Sequence, residues 1–461
     1  MRILRARSPA QTPRQPDFGT RGRFVVDRFR KRCRRSHAEP RQLDHLRALL
    51  GNDAEFLEPV PLGAKLPDCE AAVFPQLLGE AYRRVPDFRA LTPPLLILTS
   101  EFGTLSMWDW ELITYLKSEG VGAGIIAPYN LDHTRVALRA LAVKRQLSTS
   151  KFIVYQDNPG DGMQAPIFKR FYWWENECVE RMLSKFGLTI EKRSFKKLGA
   201  EAKMIPDSDA QAAWRARPLP HALPEKSLNA AVKLYLAVKR DIGDDPAVQG
   251  VGINCLNESA FSDCTPCLAW NLLYQERGLI WGCEADILAM LTKLILHRSL
   301  GAPIILTNLY PFLMGQAALK HERITEFPPV EGDPRNYILV AHCGYLGVVP
   351  QSFSTEWTLR KKVLAIVDEH ASAIDARLPI GPITLAKLHP DMTTMTVVEG
   401  ELTGYVGYPG SDCLNGGVIR VPNGHRLMTQ LASHHYLLLT GHHLAAIEPV
   451  GTVFGLTPKS V

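Results

Sequence analysis

No run of this chain approaches the roughly 18 consecutive apolar residues that a membrane-spanning helix needs, so no membrane partner is expected. The arginine-rich beginning is followed by no apolar h-region, which excludes a secretory signal peptide. Neither a G-x-G-x-x-G fingerprint nor a P-loop occurs, so nothing supports a dinucleotide or nucleoside triphosphate ligand. The C-x-x-C spacing occurs once, as Cys264-Thr-Pro-Cys267, with no second pair at zinc-finger distance. Nine cysteines without a signal peptide point to reduced thiols and a cytoplasmic location.

What is present is an ordinary globular balance, 46% hydrophobic and 22% charged, over 461 residues, which calls for two or three domains. The net charge of +6 is unevenly placed: residues 1–40 carry eleven Arg and one Lys against three acids, a net of +9, leaving −3 for the rest. The cluster Arg28-Phe-Arg-Lys-Arg-Cys-Arg-Arg35 could meet nucleic acid or an anionic surface. No aromatic interleaving or folded binding motif accompanies it, so a disordered extension or an early start codon is preferred and a nucleic-acid partner is not expected. Residues 41–92 form a helical lead-in, with Leu46, Leu49 and Leu50 on one face.

From Pro93 the chain alternates short apolar runs with helical periods. Strands are predicted at Leu95–Leu98, Gly122–Ala127 and Phe152–Tyr155, with helices at Met107–Leu116, Thr134–Lys144 and Glu175–Phe186. This defines a first α/β domain, 93–215, of Rossmann-like or flavodoxin-like type. The proline-containing stretch Ala210–Glu225 is the candidate linker. A second α/β domain, 225–349, opens with the helix Ser227–Asp241 and a strand from Val248.

Within it, Leu279–Cys283 is a strand; Ile287, Leu288, Leu291, Leu294 and Ile295 then mark one face of a helix, with Glu284 and Asp286 in its first turn. Ala302–Thr307 and Tyr337–Ala341 read as two further strands. Parallel strands joined by right-handed crossovers end on one edge, where ligands bind. Four strand ends thus carry Glu258, Glu284, Asn308 and His342 toward one rim.

After Pro350 the pattern shifts. Glu356–His370 is predicted as a charged helix, and beyond Pro379 come the strands Ile383–Leu388, Thr394–Glu399 and Gly417–Val421 between turn-rich segments. Region 350–461 is therefore β-rich, a small barrel or sandwich. It closes on Ser433-His-His-Tyr-Leu-Leu-Leu-Thr-Gly-His-His443, two histidine pairs around one strand, a pattern that can ligate metal or be plain surface histidine. Cys255 and Cys283 lie near the C-x-x-C in sequence, so a four-thiolate zinc site is conceivable, but Pro266 reads better as a helix start.

Cys264-Thr-Pro-Cys-Leu-Ala, Cys283-Glu-Ala-Asp-Ile with its helix, and the closing His-His and Gly-His pairs together resemble the L-fucose isomerase family, which shares its fold with L-arabinose isomerase. The likeness runs from about Pro93 to the C-terminus and is best over Gly252–Gly344 and Ser433–Leu456; the first ninety or so residues have no counterpart in it. The resemblance implies two α/β domains, a β-rich third, and an active site between the second and third. It also implies a divalent metal, typically manganese, held by a Glu, an Asp and a His, in an oligomer whose neighbouring subunit helps close the site.

Glu284 matches the family Glu and His435 the family His, while the position of the Asp holds Asn308. An amide oxygen can still coordinate a hard cation but cannot act as a general base. Glu284 would then work with His342 as auxiliary donor or acceptor, and Glu258, Asp286 and His442 are the candidate substrate contacts. The activity implied is metal-dependent aldose–ketose isomerisation of a small sugar. A non-catalytic sugar-binding relative and a lyase are the alternatives.

Overall fold

The computed structural model describes residues 22–27, 38–74, 81–98, 108–121, 124–157, 175–255, 261–361, 370–411 and 413–461. It is a mixed α/β chain with two parallel sheets and a C-terminal closed barrel of six antiparallel strands.

The first sheet holds β1 (Gly22–Asp27), β2 (Ala54–Val60), β3 (Ala71–Phe74), β4 (Leu95–Ile97) and β5 (Ile125–Ile126), in the order β2-β1-β3-β4-β5, all parallel. This corrects two expectations. The basic segment 1–40 contributes a strand, and the lead-in contributes two more besides its helix Ala38–Leu50, so the parallel sheet begins some seventy residues before Pro93. Leu46 and Leu50 are fully buried beneath it, as their spacing requires.

The second sheet, ordered β7-β6-β8-β9, is built from β6 (Lys151–Tyr155), β7 (Thr189–Arg193), β8 (Val248–Ile253) and β9 (Ile280–Cys283), again all parallel. The candidate linker is largely structured: its first half lies in the helix Asp207–Ala216, and the helix Glu225–Ile242 begins directly after Pro224.

The barrel takes β10 (Ile304–Pro311) and β11 (Tyr337–Ala341) away from that sheet. They join β14 (Gly381–Leu388), β15 (Thr394–Val406), β16 (Gly416–Arg420) and β17 (His435–Thr440) in the order β14-β17-β10-β11-β16-β15, closed by pairing of β14 with β15. The expectation that β8 to β11 end on one parallel edge is therefore replaced by a junction between two sheets. The carboxyl end of β9 meets the barrel near the points where β11 ends and β17 begins. A fully apolar run of this length fits either kind of sheet, so periodicity does not choose between them. Glu356–Lys361, predicted helical, is β12, an antiparallel partner of β13 (Ser372–Arg377); residues 362–369 lie outside the described residues. A last strand, β18 (Thr457–Ser460), adds in parallel to β15.

The helix Ile287–Leu300 is wedged between β9 and the barrel strands β10, β14 and β17, and every residue from Ile287 to Ser299 is buried. Such a position demands apolar residues on every face through most of the helix, and the buried polar groups it carries are tied down, Lys293 Nζ to Trp281 O at 3.0 Å and His297 Nδ1 to Ala302 O at 2.7 Å. Gly282 allows the close approach: a Cβ there would stand 2.4 Å from Met290 Sδ. No helix among the described residues is long and apolar enough to cross a membrane.

Candidate metal centre

Just beyond β9 the backbone turns into the buried helix through two consecutive non-glycine residues in the left-handed region, Glu284 and Ala285, both with φ of 52°. Such conformations cost on the order of 1–3 kcal/mol each and persist where surrounding structure imposes them, often at functional sites. The turn places Asp286 as the helix N-cap, its Oδ1 accepting from Ala289 N at 2.7 Å. It also leaves the Glu284 side chain facing the barrel, almost wholly buried.

Two imidazoles meet it there. Asn308 on β10 pairs with His435 of β17 on one side and with Ala341 of β11 on the other, so pairing passes from one neighbour to the next at this residue. His435 begins its strand and His342 follows the end of its own, and both reach the same point. His342 Nε2 and His435 Nε2 stand 3.7 and 3.8 Å from Glu284 Oε1. Ligand atoms of the three residues all lie within 4.8 Å of one another, and all three are buried. Metal–ligand bonds of about 2.1 Å put neighbouring donors roughly 3.0–3.4 Å apart, so the cluster could hold a metal ion with a small inward adjustment.

Each histidine is oriented from behind. His435 Nδ1 lies 3.0 Å from Asp286 Oδ2, and the same oxygen accepts from Lys387 Nζ at 2.8 Å. Burial disfavours charge on both Asp286 and His435. Lys387 and His435 nevertheless hold the Asp286 carboxyl far below its usual range, and the Asp286 and Glu284 carboxylates raise His435 to about 9. A carboxylate on Nδ1 fixes the ring so that Nε2 faces the cluster, the arrangement common behind metal-bound histidines.

His342 has a softer partner, the Cys343 thiol, 3.0 Å from Nδ1. Its turn is tight: Cys343 has φ of 58°, and His342 N donates to Tyr345 O at 2.6 Å. Gly347 completes it at φ +108°, where a Cβ would fall 2.6 Å from Leu306 O. Beside His342 lies a small cavity of about 10 Å³, the room of about one water, whose walls include Cys255, Cys267, Cys283, Cys343 and Trp270.

Of the residues singled out from sequence, Glu284, His342 and His435 come together, and Asn308 adjoins them in register. Asp286 is not an open substrate contact; its carboxylate is occupied by Ala289 N, Lys387 and His435. His442 follows the far end of β17, about 20 Å along the strand from His435 by strand rise, with its Nε2 against Gly400 O at 3.1 Å, so it is not part of the cluster. Glu258 lies outside the described residues.

The C-x-x-C motif is a helix start rather than a thiolate site. Pro266 caps the helix Cys267–Arg277, Cys264 Sγ sits 3.5 Å from Ser372 Oγ, and Thr265 hydrogen-bonds Ser372 of β13. Among the described residues the one group positioned to hold a metal contains no cysteine.

Sequence reading missed Lys387, Tyr310 and Glu322. Lys387 had a signal, a cation inside the apolar run Ile383–Leu388. Tyr310 accepts from Asn308 Nδ2 at 3.0 Å; burial and the Glu322 charge raise its phenol well above the usual value.

No protein-family model matches the chain, and no curated protein matches it in sequence.

Proposed function

We propose that the chain is a metal-dependent aldose–ketose isomerase acting on a small carbohydrate, of the L-fucose isomerase type that its motifs resemble. In this reading the two parallel sheets belong to two Rossmann-like domains, the barrel is the third, and the protein works as a homo-oligomer. The observation that carries the proposal is the convergence of Glu284, His342 and His435 from three distant segments on one buried point between a parallel sheet and the barrel.

The donor set, one carboxylate and two imidazoles with an amide oxygen adjacent, suits a divalent cation of the manganese type. Bound there, such a cation would polarise two neighbouring sugar oxygens. Glu284 is the carboxylate available to take the proton that moves between adjacent carbons. His342 Nε2 faces the same point as a further ligand to the cation. Asp286 and Lys387 hold His435 in place. Asn308 contributes an oxygen but no basicity, so the work of two carboxylates falls on one.

That last feature supports a second reading, a sugar-binding relative without turnover. A lyase using the same chemistry differs only in its products. The test is purified protein with and without Mn²⁺ against a panel of aldoses and ketoses, with products identified by NMR. Interconversion that depends on Mn²⁺ and is lost in Glu284→Gln is expected. Thermal stabilisation by a sugar without conversion would favour the second reading. Failure of both Mn²⁺ binding and turnover would remove the first.

A further inference from the structure

Asn308 and Tyr310 lie two residues apart on β10 and so share one face of the strand. Asn308 Nδ2 donates to the Tyr310 hydroxyl at 3.0 Å, and the Glu322 carboxylate, from the helix Gln316–Glu322 that follows β10, lies close enough for its charge to act on that hydroxyl. Asn308, Tyr310 and Glu322 are 8%, 5% and 4% exposed. Asn308 Oδ1 is buried and has no hydrogen-bond donor.

The direction of the Asn308–Tyr310 bond follows from the chemistry of the groups. A carboxylate can only accept, and a phenol has one proton to give. The Glu322 charge therefore draws the Tyr310 proton toward itself, and the phenol oxygen is left to accept. The partner that fills this role is the NH₂ of Asn308. The amide is thereby fixed with its oxygen turned away from Tyr310, on the strand face where His435 is the paired neighbour. An oxygen buried with no donor is destabilising. A cation in the adjacent cluster would satisfy it.

We propose that Glu322 and Tyr310 are positioning residues that lock Asn308 as a neutral oxygen ligand of the Glu284–His342–His435 centre. The inference rests on the metal-binding reading above. It makes the Asn a built feature of the site rather than a lost acid, with the second buried carboxylate placed behind it instead of on the metal.

The experiment is calorimetric titration of the full chain with Mn²⁺, on Tyr310→Phe and Glu322→Ala, each made with Asn308 retained and with Asn308→Asp. With Asn308 retained, both variants should weaken Mn²⁺ binding roughly ten- to a hundredfold. In the Asn308→Asp background the loss should fall below about twofold, because a carboxylate has two equivalent oxygens and needs no orientation. A purely structural role would cost affinity in both backgrounds, and that outcome overturns the proposal. Unchanged affinity in Tyr310→Phe, which deletes a single oxygen and so keeps the test sound if Glu322→Ala unfolds, overturns it as well. A parent chain that binds no Mn²⁺ would sink the functional reading first, and the two failures are told apart by that parent titration.

Discussion

Two buried histidines stand at opposite ends of the helix Ile287–Leu300, and their neighbours set them in opposite states. His435, fully buried, meets the N-terminal end, where Asp286 caps the helix and Glu284 precedes it. His297, 3% exposed, sits in the last turn with Nδ1 2.7 Å from Ala302 O and Nε2 3.0 Å from the Tyr274 hydroxyl. Burial pushes His297 down to about 4, whereas the two carboxylates overcome burial and lift His435 to about 9. The helix dipole argues the other way, since a C-terminal end favours a cationic histidine by roughly 0.3–1 kcal/mol. A fall from 6.5 to about 4 is worth about 3 kcal/mol, so desolvation outweighs the dipole at His297. What makes one end of this helix a candidate site is therefore not a buried imidazole but a carboxylate that remains in excess after the local ion pair is satisfied.

The sharpest way to break this contrast is Asp286→Ala. It strands Lys387, 2% exposed at its side chain, without its carboxylate and removes the group that orients His435. Loss of one partner of a buried pair costs about 3–5 kcal/mol, and loss of the group behind a ligating histidine costs roughly ten- to a hundredfold in metal affinity. Urea unfolding and Mn²⁺ titration read the two effects separately. Adding Lys387→Met should recover much of the stability but none of the Mn²⁺ affinity, because the stranded charge is removed while His435 stays unoriented. Recovery of both would mean that Asp286 serves the fold alone.

The two ends of the helix were not equally legible. The strand–helix unit around β9 follows from periodicity, and Glu284 is conspicuous as an acid between a buried strand and a buried helix. His435 came from the resemblance and His342 from its place at a strand end. The junction that unites them was hidden because β10 pairs with β17, more than a hundred residues later, and nothing in a short apolar run names its partner. Asn308 read as the end of a strand that in fact continues to Pro311, so Tyr310 fell outside the pattern and Glu322 with it. The first strand was masked by the arginines around it, since charge dominated a window holding Phe24, Val25 and Val26.

A smaller effect, from the other end of the helix, sharpens the contrast through pH. The folded-state pKa of His297 is depressed from 6.5 to about 4. Above pH 6.5 neither state carries its proton, and below 4 both do. Between these limits the unfolded chain takes up a proton that the folded chain refuses, so stability falls as pH drops through the window. The share lost between pH 7 and 5 is about 2 kcal/mol. His297→Gln keeps a donor for Ala302 O and an acceptor for Tyr274 but does not titrate. Its urea midpoint should fall less than that of the parent between pH 7 and 5, and equal slopes would mean that His297 is not held neutral by its two partners.

The smallest effect is expected at the second imidazole of the cluster. His342 leans on a thiol, a weak hydrogen-bonding group, where His435 leans on a buried carboxylate already paired with Lys387. Cys343→Ala keeps the Cβ, so the cost of the residue's φ of 58° is unchanged and only the sulfur contact is lost. Mn²⁺ affinity should fall by less than about threefold, well short of the loss in Asp286→Ala. The turn itself explains why: the backbone bond from His342 N to Tyr345 O and the close fit of Gly347 under its side chain already limit where the ring can go. A loss as large as that in Asp286→Ala would reverse the assignment, making the thiol side the determinant of the cluster's geometry and the Asp286–Lys387 pair a support for the fold.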